Sequence, residues 1–248
     1  LDSLYISYLY GWAVCRETRF TIGHATGWGT NTMLSARGDG GQNVAAYQDP
    51  EDERFRAQYS WHGYFPDKVV TYDNIGGPIW EPDPYGYIAE DDTVGRLGAA
   101  QFTGIVTLHA DTSPEDHSDD ATQPSTTGFY GSDEPETLGY NPEDSEMMTR
   151  RYEWMSLGHT YPRHAYQVEP SGDFALQSSS PALGTPGGFS AGNGYGPYAL
   201  PFGDSIRIVW AEAVTGLSRD KCIEIGAKYK KGEIDAYEKN QWVLTGED

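Results

Sequence analysis

The sequence predicts a mainly β fold, namely a sandwich-like antiparallel β core with a few peripheral helices and long loops. Its 248 residues include 18 Tyr, 8 Phe and 7 Trp together with 30 Gly and 15 Pro, a combination typical of strands joined by turns. Several short segments alternate apolar side chains with a period of two. We expect a single β-rich domain or module over residues 1–248, with an acidic loop insertion at 111–146 and a C-terminal helical segment at 218–243.

The strong negative charge limits the classes of partner. Binding to nucleic acid needs clustered Lys and Arg, and the formal net charge of -20 argues against nucleic acid as a partner. No run of apolar residues approaches the roughly 18 positions of a membrane span. The two cysteines, Cys15 and Cys222, are too few for a disulfide framework. Two alternatives remain open for them: two buried free thiols, or one disulfide bridge.

Two strands are predicted before the acidic region. At the N-terminus, Leu4, Ile6 and Tyr8 recur at every second position, which predicts a strand within residues 1–14. Residues 102–110, FTGIVTLHA, alternate in the same way and predict a strand of the core.

Three helix starts are predicted from one recurring device, in which an N-cap type residue precedes Pro and two acids. The device occurs at 49–52, 113–116 and 141–144. Proline at the first helical position needs no hydrogen-bond acceptor, and the acids favour the positive end of the helix dipole. The third start is followed by Met147, Met148, Tyr152 and Met155, which predict one helix face, and Gly158 is predicted to end that helix.

A strand and two helices are predicted in the C-terminal part of the chain. Positions 206–213 carry apolar residues on both faces, which predicts a strand in the centre of a sheet that ends at Gly216. Ser218 is predicted to cap the next helix, with Leu217 and Cys222 forming a hydrophobic staple. Gly232 is predicted to stop this helix in the left-handed conformation, and a second helix is expected from about 233 to 243.

The acidic insertion offers candidate metal ligands. No Lys or Arg occurs between Arg96 and Arg150, and carboxylates are the preferred ligands of Ca²⁺. The spacing does not match a calcium-binding loop or a zinc protease helix, so we expect either no cofactor or Ca²⁺. The predicted metal ligands are Asp111, Asp116, Asp119 and Asp120.

Three acids near aromatic residues are candidates for glycoside hydrolysis, which requires a pair of carboxyl groups across the sugar. Glu81 and Asp83 flank a proline in an aromatic stretch, and Glu212 lies two positions after Trp210 on the same face of the predicted strand. The alternative for Glu212 is that it marks the place where the strand leaves the core.

Aromatic residues in the glycine-rich segments are candidate ligand-binding residues, because Trp and Tyr stack on sugars and form hot spots for protein partners. The alternative is that a large β domain buries these rings in its own core. The candidates are Trp28, Trp61, Trp80 and Tyr85.

One segment resembles a known group of proteins. Residues 196–205, GPYALPFGDS, followed by IRIVWAEAVTGLS, are similar to a segment of large secreted bacterial proteins of unknown function, many of them exported by the type IX route. The resemblance implies a secreted, extracellular or cell-surface location and brings no catalytic residues. The absence of Met at position 1 likewise favours a piece processed from a longer precursor.

The function expected from these observations is a non-enzymatic extracellular or cell-surface module for binding or assembly. Its partners would be other copies, other domains of a longer precursor, or a surface glycan. The alternative is a carbohydrate-active enzyme or a glycan-binding module, for which acids and a Trp should meet in one cleft.

Overall fold

The computed structural model describes residues 1–11, 32–37, 56–62, 95–98, 100–131, 141, 143–158 and 189–246. These ranges hold seven strands and three helices. In chain order they are β1 (Leu4–Gly11), β2 (Thr32–Arg37), β3 (Arg56–His62), β4 (Gln101–Ala110), β5 (Thr126–Gly131), α1 (Ser145–Met155), β6 (Phe189–Tyr198), β7 (Ile208–Gly216), α2 (Arg219–Lys230) and α3 (Ala236–Thr245).

The strands form two antiparallel sheets. One has three strands in the order β1-β6-β5, and the other has four in the order β2-β3-β4-β7. The predicted antiparallel β structure with a few helices is therefore confirmed for the described residues. The strands predicted at the N-terminus and at 102–110 correspond to β1 and β4.

The strand predicted at 206–213 differs from expectation in its place within the sheet. It begins at Ile208 as β7 and, among the described strands, lies at the outer end of the four-stranded sheet. Val214 is 70% exposed and Trp210 is 37% exposed, so the prediction of a central strand buried on both faces is wrong. Because β7 is an outer strand, some of its apolar side chains are exposed to solvent although the sequence pattern is apolar on both faces.

The two sheets contact each other through aromatic and polar side chains. The Tyr195 hydroxyl on β6 lies 2.8 Å from the hydroxyl oxygen of Thr107 on β4. Tyr195 and Tyr198 are buried with Ala110 in one apolar cluster, against which Ile208 packs. Burying a large side chain of this kind stabilises the fold by about 2 kcal/mol, so these tyrosines hold β6 against β4 and β7.

Helix α1 begins later than the sequence predicts. The N-cap is Asp144, not Asn141, because the Asp144 carboxylate accepts hydrogen bonds from the backbone N–H groups of Glu146 and Met147. The buried side chain of the helix is Trp154, whereas Met148 and Tyr152 are largely exposed. Of the other two predicted helix starts, 113–116 forms a turn and 49–52 lies outside the described residues.

Helix α1 packs on the three-stranded sheet. The Thr126 hydroxyl of β5 donates to the carbonyl oxygen of Met155 at 2.8 Å, and the rings of Tyr5 and Tyr152 meet edge to face at 5.6 Å.

Thr126 and Thr127 point to opposite faces of the sheet because successive residues of a strand alternate. By register, Thr127 shares its face with Asn193 and Tyr195, which point toward the other sheet, so α1 covers the opposite face.

The C-terminal helices form a second apolar cluster. Ser218 caps α2 by accepting from the Lys221 N–H at 3.2 Å, and α3 begins with a capping box between Asp235 and Glu238. Gly232 follows α2 with a φ of 72°, as its predicted role requires. The residues buried together in this cluster include Leu217 and Cys222, the predicted staple pair, and the full set is Leu97, Ala100, Leu217, Cys222, Ile225 and Val243.

None of the helices in the described ranges combines the length and apolar character that crossing a membrane requires.

Candidate functional site

Tyr8, Trp210 and Glu212 come together where the outer strands of the two sheets meet, and we call these three residues the edge site. Tyr8 lies on β1, which ends the described three-stranded sheet, and the other two lie on β7, which ends the four-stranded sheet. Trp210 and Glu212 are two positions apart, so both project from the same face of β7. The edge site is therefore built by packing between sheets.

The geometry of the edge site joins an aromatic surface to a carboxylate. The Tyr8 hydroxyl donates to Oε1 of Glu212 at 2.5 Å. The Tyr8 and Trp210 rings lie 5.1 Å apart, inclined by 42°, and the Tyr195 ring lies 6.4 Å from Trp210 at 22°. Tyr195 is buried, whereas Trp210 and Glu212 are exposed. The buried ring thus supports the indole, of which 37% is exposed.

The hydrogen bond between Tyr8 and Glu212 also determines the state of the phenol. It raises the pKa of Tyr8 above 10.0, and partial burial and the negative charge of Glu212 act in the same direction. The phenol therefore keeps its proton to a higher pH than a free tyrosine does, and it acts as a hydrogen-bond donor. Within the described residues, the second carboxylate oxygen of Glu212 makes no hydrogen bond.

The catalytic candidates are brought together only in part. Glu212 lies beside Trp210 as the sequence predicts, but its described hydrogen-bond partner is a tyrosine and not a second carboxyl group. Glu81 and Asp83 lie outside the described residues. A carboxylate pair of the glycosidase type therefore stays a prediction.

The aromatic candidates have a similar outcome. Trp28, Trp80 and Tyr85 lie outside the described residues, and Trp61 lies on β3 in register with Met33 of β2. Sequence reasoning missed Tyr8 as a site residue. Alternation placed Tyr8 on a strand, but the residue it meets depends on which strand of the second sheet packs against β1.

A second polar cluster surrounds Asp111 in the loop after β4. The Asp111 side chain is 1% exposed. Its Oδ1 lies 2.7 Å from Nε2 of His109, and its Oδ2 lies 2.9 Å from Nδ1 of His117 and accepts from the backbone N–H of Arg207 at 2.8 Å. Burial acts to raise the pKa of Asp111, but the hydrogen bonds to the two imidazoles and the backbone outweigh it and hold the pKa at about 2.

Asp119 anchors the same loop to β3. Both of its carboxylate oxygens lie 2.9 Å from Nη2 of Arg56, and Oδ1 also accepts from the backbone N–H of Ala110. The other guanidinium nitrogen of Arg56 donates to the carbonyl oxygens of Asp120 and Gln123 at 2.8 and 3.0 Å. Arg56 is buried, so these bonds replace the water that its charge loses.

The four predicted metal ligands therefore turn toward protein donors and not toward a common point. Asp116 accepts from the backbone N–H of Ser118 at 2.9 Å, and Asp120 accepts from the backbone and hydroxyl of Thr122 at 2.9 and 2.6 Å. Across the ranges that the structure describes, no three His, Cys, Asp or Glu side chains form a group that could hold a metal ion. A Ca²⁺ site in the insertion stays a prediction, and the range 111–146 also contains β5 and the first residues of α1.

Comparison with known proteins adds no functional assignment. No protein-family model, no curated protein and no solved structure matches the chain. The two clusters must therefore be weighed by their geometry. Asp111 and Asp119 hold β3, β4 and the segment before β7 together, whereas Trp210 and Glu212 of the edge site are exposed.

Proposed function

We propose that this protein is a non-enzymatic extracellular module that binds a glycan at the edge site. The observation that supports the proposal is the arrangement of Tyr8, Trp210 and Glu212, with an exposed indole supported from below and a carboxylate held beside it. The two sheets would pack face to face as a sandwich, and the edge site would occupy its open side.

The chemistry of the edge site suits a sugar ring. A pyranose has an apolar C–H face that stacks on an indole, and its hydroxyl groups need acceptors and donors at the rim of that stack. Trp210 supplies the surface, and Glu212 supplies acceptor oxygens close to it. Tyr195 supports Trp210 from the core, so little side-chain freedom is lost when a ligand binds.

Binding fits the edge site better than catalysis does. A tyrosine acting as nucleophile needs its phenolate, and the raised pKa of Tyr8 disfavours that form. The described hydrogen-bond partner of Glu212 is likewise not a second carboxyl group. The carbohydrate-active enzyme remains the alternative, and it predicts release of reducing sugar by the purified protein.

A secreted location is part of the proposal. It is supported by the similarity of residues 196–205 to a segment of large secreted bacterial proteins.

The proposal is tested by affinity electrophoresis through gels that contain neutral or amine-bearing polysaccharides. The wild-type protein should be retarded in at least one gel, and Trp210→Ala should migrate as it does in a gel without polysaccharide. The matched control is Phe202→Ala, which removes a fully exposed aromatic ring outside the edge site and should leave the retardation unchanged. Retardation that survives Trp210→Ala, or no retardation in any gel, would refute glycan binding at the edge site.

A second candidate function is assembly with other copies through the edge of β7. Among the described strands β7 pairs on one side only, and its Val214 is 70% exposed. Outer strands with exposed apolar residues are the places where further strands add. Sedimentation of wild type and Val214→Lys tests this: a dimer that Val214→Lys dissociates would support assembly, and a wild-type monomer would reject it.

A further inference from the structure

The edge site carries a negative charge that no cation of the described chain neutralises. Glu212 is exposed, and its described polar contact is the neutral hydroxyl of Tyr8. The described ion pairs lie elsewhere, for example between Arg56 and Asp119 and between Lys228 and Glu224. Because the whole chain also has a net charge of -20, the potential around the edge site favours a positively charged ligand.

The aromatic rings of the edge site favour the same sign of charge. Tyr8 and Trp210 are inclined by 42° with their centroids 5.1 Å apart, so the two rings contact each other beside the carboxylate. The face of an aromatic ring carries negative partial charge, and tryptophan attracts an ammonium group most strongly. A ligand that places an ammonium group against Trp210 would also reach the Glu212 carboxylate.

From this combination we infer that the edge site selects glycans that carry free amino groups, such as chains of unacetylated glucosamine, over neutral glycans. The sugar ring stacks on the Trp210 indole, and its ammonium group pairs with Glu212. This inference rests on the proposed function and adds the class of sugar to it. Acidic glycans would be repelled both by Glu212 and by the net charge of the chain.

The test is isothermal titration with three hexasaccharides of matched length. They are built from glucosamine, from N-acetylglucosamine and from glucose. The glucosamine hexamer should bind about fivefold more tightly than the glucose hexamer, which is the factor expected for one solvent-exposed ion pair. Raising the salt concentration should reduce this preference, because salt screens exposed charges.

Two variants separate a specific ion pair from general attraction to an acidic protein. Glu212→Gln removes the charge but keeps an oxygen that accepts from Tyr8, so it should abolish the preference for the glucosamine hexamer over the glucose hexamer. Glu153→Gln removes an exposed carboxylate from α1, on the far face of the three-stranded sheet, and should keep the preference.

The outcomes distinguish this inference from the proposed function. Equal affinities for all three hexamers, each lost in Trp210→Ala, would overturn the selection of amino sugars and leave glycan binding intact. A preference that both glutamine variants reduce equally would also overturn the inference, because it would reflect net charge alone. If none of the hexamers binds, the proposed function fails as well.

Discussion

Replacing Asp111 with Asn tests whether the loop after β4 is held by a buried carboxylate. Asn keeps the shape of the side chain but replaces one acceptor oxygen with an N–H₂ group. That group would face either His109 on one side or His117 and the backbone N–H of Arg207 on the other. Facing the Arg207 N–H, the new N–H₂ group opposes a donor and that hydrogen bond is lost. Facing His109, it keeps a hydrogen bond only with the imidazole tautomer that leaves Nε2 without a proton.

The magnitude follows from the pKa of Asp111, which falls from 3.8 to about 2 on folding. By linkage this depression corresponds to roughly 2 kcal/mol of stability, and screening by solvent around the exposed His117 imidazole lowers it toward about 1 kcal/mol. The pKa is lowered in the folded state, so this stability is present above about pH 4 and is lost as the pH falls toward 2. Asp111→Asn should therefore be less stable than wild type by about 1 to 2 kcal/mol at about pH 5.

The assay is urea unfolding of wild type and Asp111→Asn at about pH 5 and at about pH 2.5. The other carboxyl groups titrate in both proteins, so their effect cancels in the difference between the two. We expect the difference in free energy of unfolding between wild type and Asp111→Asn to shrink at about pH 2.5 to less than about half of its value at about pH 5. A difference that stays constant would mean that the carboxylate charge is not what holds the loop, and the reasoning would be refuted.

Three further predictions concern other parts of the fold. Gly226→Ala places a Cβ against the carbonyl oxygen of Gly95 and should cost about 2 to 3 kcal/mol in urea unfolding, and an unchanged midpoint would contradict the close approach of these backbones. Asp235→Ala removes the capping box of α3 and should cost about 1 kcal/mol; no loss of thermal stability would show that the cap is dispensable. Because the pKa of Tyr8 is raised, the stability that its hydrogen bond to Glu212 contributes is complete below about pH 10 and is lost at higher pH. As the pH rises from about 9 to about 11, the free energy of unfolding should fall less in Tyr8→Phe than in wild type, and an equal fall in both proteins would contradict this.

The sequence predicted best those features that depend on neighbours along the chain. Ser218 caps α2, and Leu217 and Cys222 are buried together, because a cap and a staple are formed within one turn of helix. Helix α1 is capped by Asp144 and not by Asn141, and because both residues are of a type that can cap, the pattern alone did not separate them.

Features that depend on packing between distant segments could not be predicted. The apolar pattern of β7 fits a central strand as well as an outer strand, so the sequence could not show that β7 is an outer strand and that its Trp210 contacts Tyr8 of the other sheet. Glu212 was singled out from its parity with Trp210, but Tyr8, which is 204 positions away, could not be. The contacts of Asp111 and Asp119 with two histidines and Arg56 could not be predicted either, because carboxylate composition does not show which partners the fold brings to an acid.

The most direct test of the glycan-binding proposal follows the indole N–H signal of Trp210 by NMR while the glucosamine hexamer is added. The signal is assigned as the one that disappears in Trp210→Phe. If the sugar binds at the edge site, this signal shifts and saturates with ligand, with smaller changes at the other tryptophans. A Trp210 signal that stays in place while another indole signal shifts would contradict the account, because the sugar would then bind away from the edge site.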